Sequence, residues 1–290
     1  MLKDLVKKFI WRCTRRKSGI TKMLYVLAEL YFDSFNDCSS DININGEAFL
    51  ISTLAGVDFK TIFDVGANVG AWSLFAAKSF PRAAIHAFEI SRSTHPTTLS
   101  RLSEKRFIVN NLGLSDVSGV VRYKDYGVNS GVNTILGSAR FWDSNLPFEH
   151  KESRVTTGDL YCRDRQIGFV DFLKIDVEGA DHRVLRGFSR MVESKCIRII
   201  QFEYGYTHAD DRFLMRDFFS FLNSKGYVVG KLWSDGVEFS DFFYWLNNFK
   251  SGPNYVAVRS DDAEMIGLIS TKRPSVFQGS ASPVFKKVSC

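Results

Sequence analysis

An open α/β fold with a doubly wound, mostly parallel sheet is the architecture this sequence predicts, on three observations. From about residue 60, short apolar runs alternate with longer helical stretches, as parallel strands joined by crossover helices require. The run over 170–177 is apolar except for Asp171, Lys174 and Asp176, the pattern of a central strand buried on both faces. The first run leads straight into a glycine turn and a helix, the arrangement at which open sheets bind ligands.

Taken in order, residues 1–55 read as an N-terminal helical segment. Leu2, Leu5, Val6, Phe9 and Ile10 recur at helical spacing beside Lys3, Lys7, Lys8, Arg12, Arg15, Arg16, Lys17 and Lys22, with Asp4 the one acid among them. This basic amphipathic helix is first read as a cap on the domain that shows its charges to water. The alternative is a peripheral membrane contact through residues 2–22 on an anionic surface. A secretory signal is not expected, because no uncharged apolar core and small-residue cleavage site are present. The apolar stretch over 23–32 is well short of the ~20 residues that cross a bilayer.

The main domain is expected over 56–272. Strands are predicted over 60–65, 83–90 and 107–114, with helices over 70–80 and 97–105 between them. An extra strand over 119–124 precedes an inserted loop at 126–154, rich in Gly, Asn and Ser. Beyond the central strand come a helix over 180–193, a strand over 197–204 and a helix over 210–225 capped by Gly226. Strands over 227–233 and 255–259 complete the sheet, and 273–290 reads as a loose tail.

Composition narrows the class. Of 290 residues, 45% are hydrophobic and 26 are phenylalanine, enough for a large aromatic core. The net charge of +6 resides in the first two dozen residues, so no basic face for nucleic acid is implied on the main domain. Cys13, Cys38, Cys162, Cys196 and Cys290 are odd in number and contain no CxxC pair. That argues against a disulfide framework or zinc site and suits a reducing, cytoplasmic compartment.

The chemistry concentrates in Phe63-Asp64-Val65-Gly66-Ala67-Asn68-Val69-Gly70. A buried strand delivers Asp64 to its carboxyl end, two glycines turn the backbone under a ligand, and the following helix aims free N–H groups at it. A nicotinamide enzyme would carry GxGxxG around a pyrophosphate. Here the spacing is Gly66-x-x-x-Gly70, and an acid beside a pyrophosphate would repel it. S-adenosylmethionine has no phosphate, and its ammonium and carboxylate match Asp64 and the helix N-terminus. Glu89, ~20 residues beyond the turn at the next strand end, suits both ribose hydroxyls.

A third segment, Asp171-Phe172-Leu173-Lys174-Ile175-Asp176-Val177-Glu178-Gly179-Ala180-Asp181, should lie beside the first strand where the order reverses. Lys174, inside the strand, needs partners, and Asp176, Asp64 and Glu203 are the candidates. Together the run 63–70, then 86–90, then 172–181 with Val184-Leu185-Arg186-Gly187, and finally Gln201-Phe202-Glu203 resemble the FkbM family of methyltransferases.

The resemblance covers roughly 62–204. It implies the class I methyltransferase (Rossmann-like) fold, seven strands with the last antiparallel, and S-adenosyl-L-methionine as co-substrate. It further implies a hydroxyl acceptor on a small molecule, sugar or glycan. By position, Asp64, Gly66, Ala67, Asn68, Gly70, Glu89 and Asp176 would hold the donor, and Leu112-Gly113-Leu114-Ser115-Asp116 would border the adenine. Asp181 departs from the family's more frequent glutamate, which shortens one side chain at a helix start.

Methyl transfer is an in-line displacement, and a hydroxyl nucleophile needs a general base. Asp176 and Glu178 are the first candidates, then Glu203 and His208. His86, mid-strand, reads as a hydrogen-bonded core residue. No His–carboxylate spacing selects a metal, so none is expected. The acceptor is expected beneath the 126–154 loop, with Tyr126, Phe141, Trp142 and His150, and the aromatic run Phe239, Phe242, Phe243, Tyr244, Trp245 and Phe249. Two competing readings are a catalytically silent module using the basic helix to bind a partner or membrane, and an NAD-dependent oxidoreductase.

Overall fold

The computed structural model describes residues 2–127, 130, 133–135, 147–209, 211–246 and 253–275. Two helices, α1 (Leu2–Thr14) and α2 (Gly19–Phe35), lead to α3 (Glu47–Thr53). There follow β1 (Thr61–Val65), α4 (Ala71–Ser79), β2 (Ala84–Phe88), α5 (His95–Arg101), β3 (Phe107–Asn110), β4 (Gly113–Leu114), β5 (Gly119–Asp125) and β6 (Glu149–Thr156). Next come α6 (Gly158–Asp164), β7 (Val170–Ile175), α7 (Asp181–Gly187), α8 (Ser189–Glu193), β8 (Ile197–Glu203), α9 (Met215–Asn223), β9 (Tyr227–Trp233), β10 (Gly236–Phe239), β11 (Asn254–Arg259) and α10 (Ala263–Ile269).

The main sheet runs β10-β9-β11-β8-β7-β1-β2-β3. Strands β3, β2, β1, β7 and β8 are parallel, and β11 runs antiparallel between β8 and β9. This is the expected mostly parallel sheet with an antiparallel last strand. To the seven expected strands it adds β10, hairpinned onto β9 at the edge. The order reverses between β1 and β7, so the ligand crevice lies at their carboxyl ends.

Both faces are covered. Phe63, Leu173, Ile200 and Phe202 face α6, α7 and α9, whose Tyr161, Leu185 and Phe218 join them in one core. Ile62, Ile85, Phe172 and Ile199 face α3, α4 and α10 through Leu50, Trp72 and Met265. Because Leu50, Ile51 and Leu54 are fully buried there, α3 is part of the sheet's packing, although it precedes residue 56. By contrast, α1 and α2 contain no buried residue. The expectation that the first helix caps the domain is therefore corrected: its apolar stripe faces outward, with Phe9 68% exposed.

Four other expectations change, each for a local physical reason. The strand over 107–114 divides: Asn110 bonds back to the Ala87 and Ile108 carbonyls, and Gly113–Leu114 leaves the main sheet to pair with β6. The 126–154 segment is loop only in part, because β6 pairs antiparallel with β5 and forms a second sheet in the order β4-β6-β5. The helix over 180–193 breaks after Gly187, where a Cβ would lie 2.1 Å from the Ser115 carbonyl. The helix over 210–225 begins only at Met215, where the Leu214 N–H donates to Asp217 Oδ2 at 2.8 Å.

Within the predicted tail, Arg273 stacks over Trp233 at 4.5 Å and Ser275 bonds Glu238; residues 276–290 lie outside the described set.

Candidate active site

The turn after β1 is built by a close backbone approach. The N–H groups of Gly66 and Ala67 both donate to the Phe88 carbonyl, at 3.0 and 2.9 Å, and Asp176 N–H donates to the Val65 carbonyl at 2.9 Å. Gly66 has φ +89°, and a Cβ there would fall 1.8 Å from the Asp176 carbonyl oxygen. Only glycine lets β1 and β7 end so close together. Asn68 also takes a left-handed φ of 45°, and Gly70, φ 75°, opens α4 without a side-chain cap. The first N–H groups of α4 are thus left for a ligand. The Asn68 Oδ1 is buried with no hydrogen-bond partner among the described residues, the mark of a polar atom that a ligand satisfies.

One row across the sheet carries polar side chains on a single face: Asp64 pairs in register with Lys174, and Lys174 with Gln201. Lys174 Nζ lies 3.0 Å from Asp176 Oδ2 and 3.6 Å from Asp64 Oδ1. Asp64, fully buried, also accepts from Ser73 Oγ at 2.7 Å. It is therefore enclosed between Lys174 and Ser73 of α4, behind the turn and not on its surface. Burial raises its pKa, and Lys174 opposes that rise.

A further acid that sequence reasoning missed joins this row. Glu47 of α3 is buried, accepts from Gln201 Nε2 at 2.6 Å and Asn45 Nδ2 at 2.9 Å, and interacts with Lys174. Burial alone would depress the Lys174 pKa, but Asp176, Asp64 and Glu47 together hold it raised and the ammonium charged. Such a buried cation is retained only because its partners surround it.

Glu89 stands at the end of β2, 5% exposed, its Oε1 accepting from Ser91 N–H at 2.6 Å. Burial pushes its pKa up to about 7, against the backbone bonds from Ser91 and Asn68 and with help from the charges of Asp64 and Asp125. Ribose hydroxyls donate to a carboxylate, so if Glu89 holds the ribose, as the sequence resemblance implies, donor binding favours its ionised form and releases a proton when it starts protonated. Affinity for S-adenosylhomocysteine should accordingly fall below about pH 7, by up to roughly tenfold per pH unit, and level off above it. Calorimetry between pH 5 and 9 checks this, with Glu89→Gln expected to bind weakly and without that pH slope.

The turn after β3, expected to border the adenine, lies beside the end of β2: Asn111 Nδ2 donates to the Glu89 carbonyl at 2.9 Å, and Gly113 faces Ile90 and Val155. Around them lies a network that no sequence signal announced. Asp125 at the end of β5 takes Lys151 Nζ at 3.0 Å and bonds Ser93, and Arg92 N–H donates to Tyr123 Oη at 3.2 Å. The second sheet thereby braces the loop that follows Glu89. Its only trace in the sequence was the extra strand over 119–124.

Of the acids proposed for proton transfer, Asp176, Glu178 and Glu203 converge. Glu203 ends β8, and its pKa is raised well above the carboxylate range by burial and by the negative charges of Asp176, Glu178 and Asp181. Glu178 has φ 60°, and its carbonyl accepts from Thr134 Oγ1 at 3.1 Å, so part of the 126–154 segment lies against this loop.

His208 is a correction. It is 1% exposed, turned inward against Tyr204 and Phe218, and its Nε2 lies 3.3 Å from Asp181 Oδ2. It braces the loop from beneath and does not reach over the mouth. His86 bonds Tyr161 Oη at 2.9 Å within the core, and burial lowers its pKa to about 4.

The aromatic run is divided between core and surface: Phe242 packs on Phe219 and, with Phe243, lies partly buried against the core, whereas Tyr244 is exposed. Tyr126 meets Phe148, which meets His150. Phe141, Trp142 and Phe249 lie outside the described residues.

A reversed-order sheet, a glycine turn with no phosphate-binding GxGxxG, and a buried acid at the second strand end are features of the class I S-adenosylmethionine-dependent methyltransferase fold. The donor is the co-substrate that the turn, the Asn68 amide and Glu89 fit. The methyltransferase FkbM domain profile matches residues 64–229, more than half of the chain, and the chain belongs to that family.

It is 29% identical over 161 residues to the 31-O-demethyl-FK506 methyltransferase FkbM of Streptomyces tacrolimicus, covering 46% of this chain and 62% of that protein. It is 28% identical over 172 residues to the AMB antimetabolite synthetase AmbE of Pseudomonas aeruginosa, covering 48% of this chain and 8% of that protein. The chain thus spans less than two thirds of the length of these curated relatives. Among solved structures, the precorrin-6y C5,15-methyltransferase of Geobacter metallireducens aligns with a TM-score of 0.42 at 13% identity, over 77% of this chain and 91% of that one. A TehB-like methyltransferase from Corynebacterium glutamicum aligns with a TM-score of 0.37 at 13% identity, over 88% of this chain and all of the other.

Proposed function

We propose that the protein transfers a methyl group from S-adenosylmethionine to a hydroxyl of a sugar, glycan or other natural product. The observation that carries this reading is Glu203. A carboxyl whose pKa is raised by burial and by Asp176, Glu178 and Asp181 is a stronger base than an ordinary carboxylate, and it stands beside the crevice where an acceptor meets the donor. An alcohol loses its proton as the carbon–oxygen bond forms, and a base of this kind takes it. The proposal also draws support from the Streptomyces relative, whose name specifies an O-methylation.

The donor side of the site positions the sulfonium, so alignment of oxygen, methyl and sulfur carries much of the rate. We place the reaction in a reducing compartment such as the cytoplasm, in keeping with Cys13, Cys38, Cys162 and Cys196 standing outside any disulfide among the described residues. Asp176 and Glu178, in the loop after β7, act on Glu203 through their charges, and Asp176 is committed in part to Lys174.

The test offers methyl-labelled donor with glycan and other natural-product extracts. The expected product carries label in an ether that survives mild base, and calorimetry shows S-adenosylhomocysteine binding with no binding of NAD. Label released by base as methanol would mark a carboxyl acceptor and overturn the hydroxyl assignment.

A further inference from the structure

Helices α1 and α2 stand outside the packed core, yet they are firmly tied to it. Directly after α2, buried Asn36 accepts from Lys231 Nζ at 2.8 Å, and Asp37 Oδ2 accepts from the Ser234 N–H at 2.8 Å. Lys231 in turn lies over Trp233 at 3.7 Å. The exit of α2 is thus clamped to the edge hairpin of the main sheet.

From this clamp α2 extends with Ile20, Leu24, Leu27, Leu30, Tyr31 and Phe35 each more than half exposed. Ile20, Leu24, Leu27, Tyr31 and Phe35 recur at helical spacing along one stripe of α2 with Leu30 beside it, and α1 adds exposed Leu2, Leu5, Phe9 and Trp11. An apolar surface of this extent marks an interaction site. Among the described residues no helix is long and apolar enough to cross a membrane.

The charge decides the partner. Lys3, Lys7, Lys8, Arg12, Arg15, Arg16, Lys17 and Lys22 accompany the apolar surface, with Asp4 the one acid before Glu29. A second copy would bring the same positive segment against this one and be repelled. An anionic leaflet attracts it, and Trp11, Tyr25 and Tyr31 are the ring types that settle at the headgroup level.

We propose that α1 and α2 dock this protein on an anionic lipid bilayer, lying in the interfacial plane with the apolar side chains in the acyl boundary and the cations among the headgroups. The clamp at Asn36 and Asp37 then holds the methyltransferase fold close to the bilayer.

The experiment is cosedimentation of the full chain with phosphatidylcholine vesicles, with and without phosphatidylserine, at low and high salt. Binding is expected with phosphatidylserine and should weaken as salt rises. The triple variant Lys7→Glu/Lys8→Glu/Arg12→Glu should lower the partition by more than about tenfold, and Leu24→Ser/Leu27→Ser should also lower it. Both variants should bind S-adenosylhomocysteine as the parent does, which shows that they fold. Equal partition onto the two vesicle types, or binding indifferent to both variants, would overturn the proposal. So would a dimer in light scattering that Leu24→Ser/Leu27→Ser dissolves while vesicles go unbound, an outcome that assigns the face to a second copy.

Discussion

Gly66→Ala should weaken S-adenosylhomocysteine binding by more than about thirtyfold, whereas Gly56→Ala should leave it unchanged. Two costs coincide at Gly66. Its φ of +89° is disfavoured for any residue with a Cβ, by roughly 1–2 kcal/mol. The added Cβ would also meet the Asp176 carbonyl oxygen at 1.8 Å, a backbone atom that cannot rotate away. Overfilling a packed site of this kind costs about 1–3 kcal/mol.

Relief requires the ends of β1 and β7 to separate, and these ends carry the Asp176 N–H bond to Val65, the Lys174 pair and the turn itself. The strain therefore appears at the donor site, where about 2 kcal/mol is already roughly thirtyfold in affinity. Gly56 has no atom within 4 Å of an added Cβ and serves as the control. Calorimetric titration of both variants, with thermal melts alongside, makes the measurement. Unchanged donor affinity in Gly66→Ala would show that the turn does not form the donor seat.

Glu203→Gln should reduce kcat by about 10²–10⁴ with donor affinity preserved, since removing a positioned general base removes that much rate. The amide keeps the shape and loses the ability to take a proton. The pH profile gives a second reading. In the parent, kcat should climb with pH and level off above the raised pKa of Glu203, because the base works only when ionised and Asp176, Glu178 and Asp181 delay its ionisation. In the variant that limb should vanish. The measurement uses the hydroxyl acceptor that the labelled-donor screen returns. A loss below tenfold, or a loss confined to donor affinity, would remove Glu203 from the proton-transfer role.

His208 shows how far sequence spacing reaches toward a site. Its place after a strand end suggested a group over the mouth, but the short helical turn at Tyr206–Ala209 folds it into an aromatic nest beneath the Asp176–Asp181 loop. A strand end places a residue near the crevice; the direction of its side chain depends on whether the following turn curls in or out. Glu203 lies on the strand itself, where register alone sets its neighbours, and its placement was legible.

Glu47 illustrates the opposite failure. It approaches Lys174 from a helix that precedes the first strand, and Gln201, to which it bonds, lies 154 residues away. No local pattern signals such a pair; the sequence showed only that Lys174, inside a strand, needed acidic partners, and Asp176, Asp64 and Glu203 were the candidates it offered.

The amino-acid sequence by itself determined the alternation of strand and helix, the central strand, the glycine turn and the acids at three strand ends. These rest on periods and spacings a few residues long, which backbone geometry converts directly into position. Only the tertiary structure decided that Asp64 lies behind the turn, that β4, β5 and β6 form a sheet bracing Glu89, and that α1 and α2 leave their apolar side chains uncovered. In each case the outcome depends on which distant surface meets which. An apolar stripe records that a helix seeks a partner, and the partner is chosen by whatever the rest of the chain, or another surface altogether, brings to it.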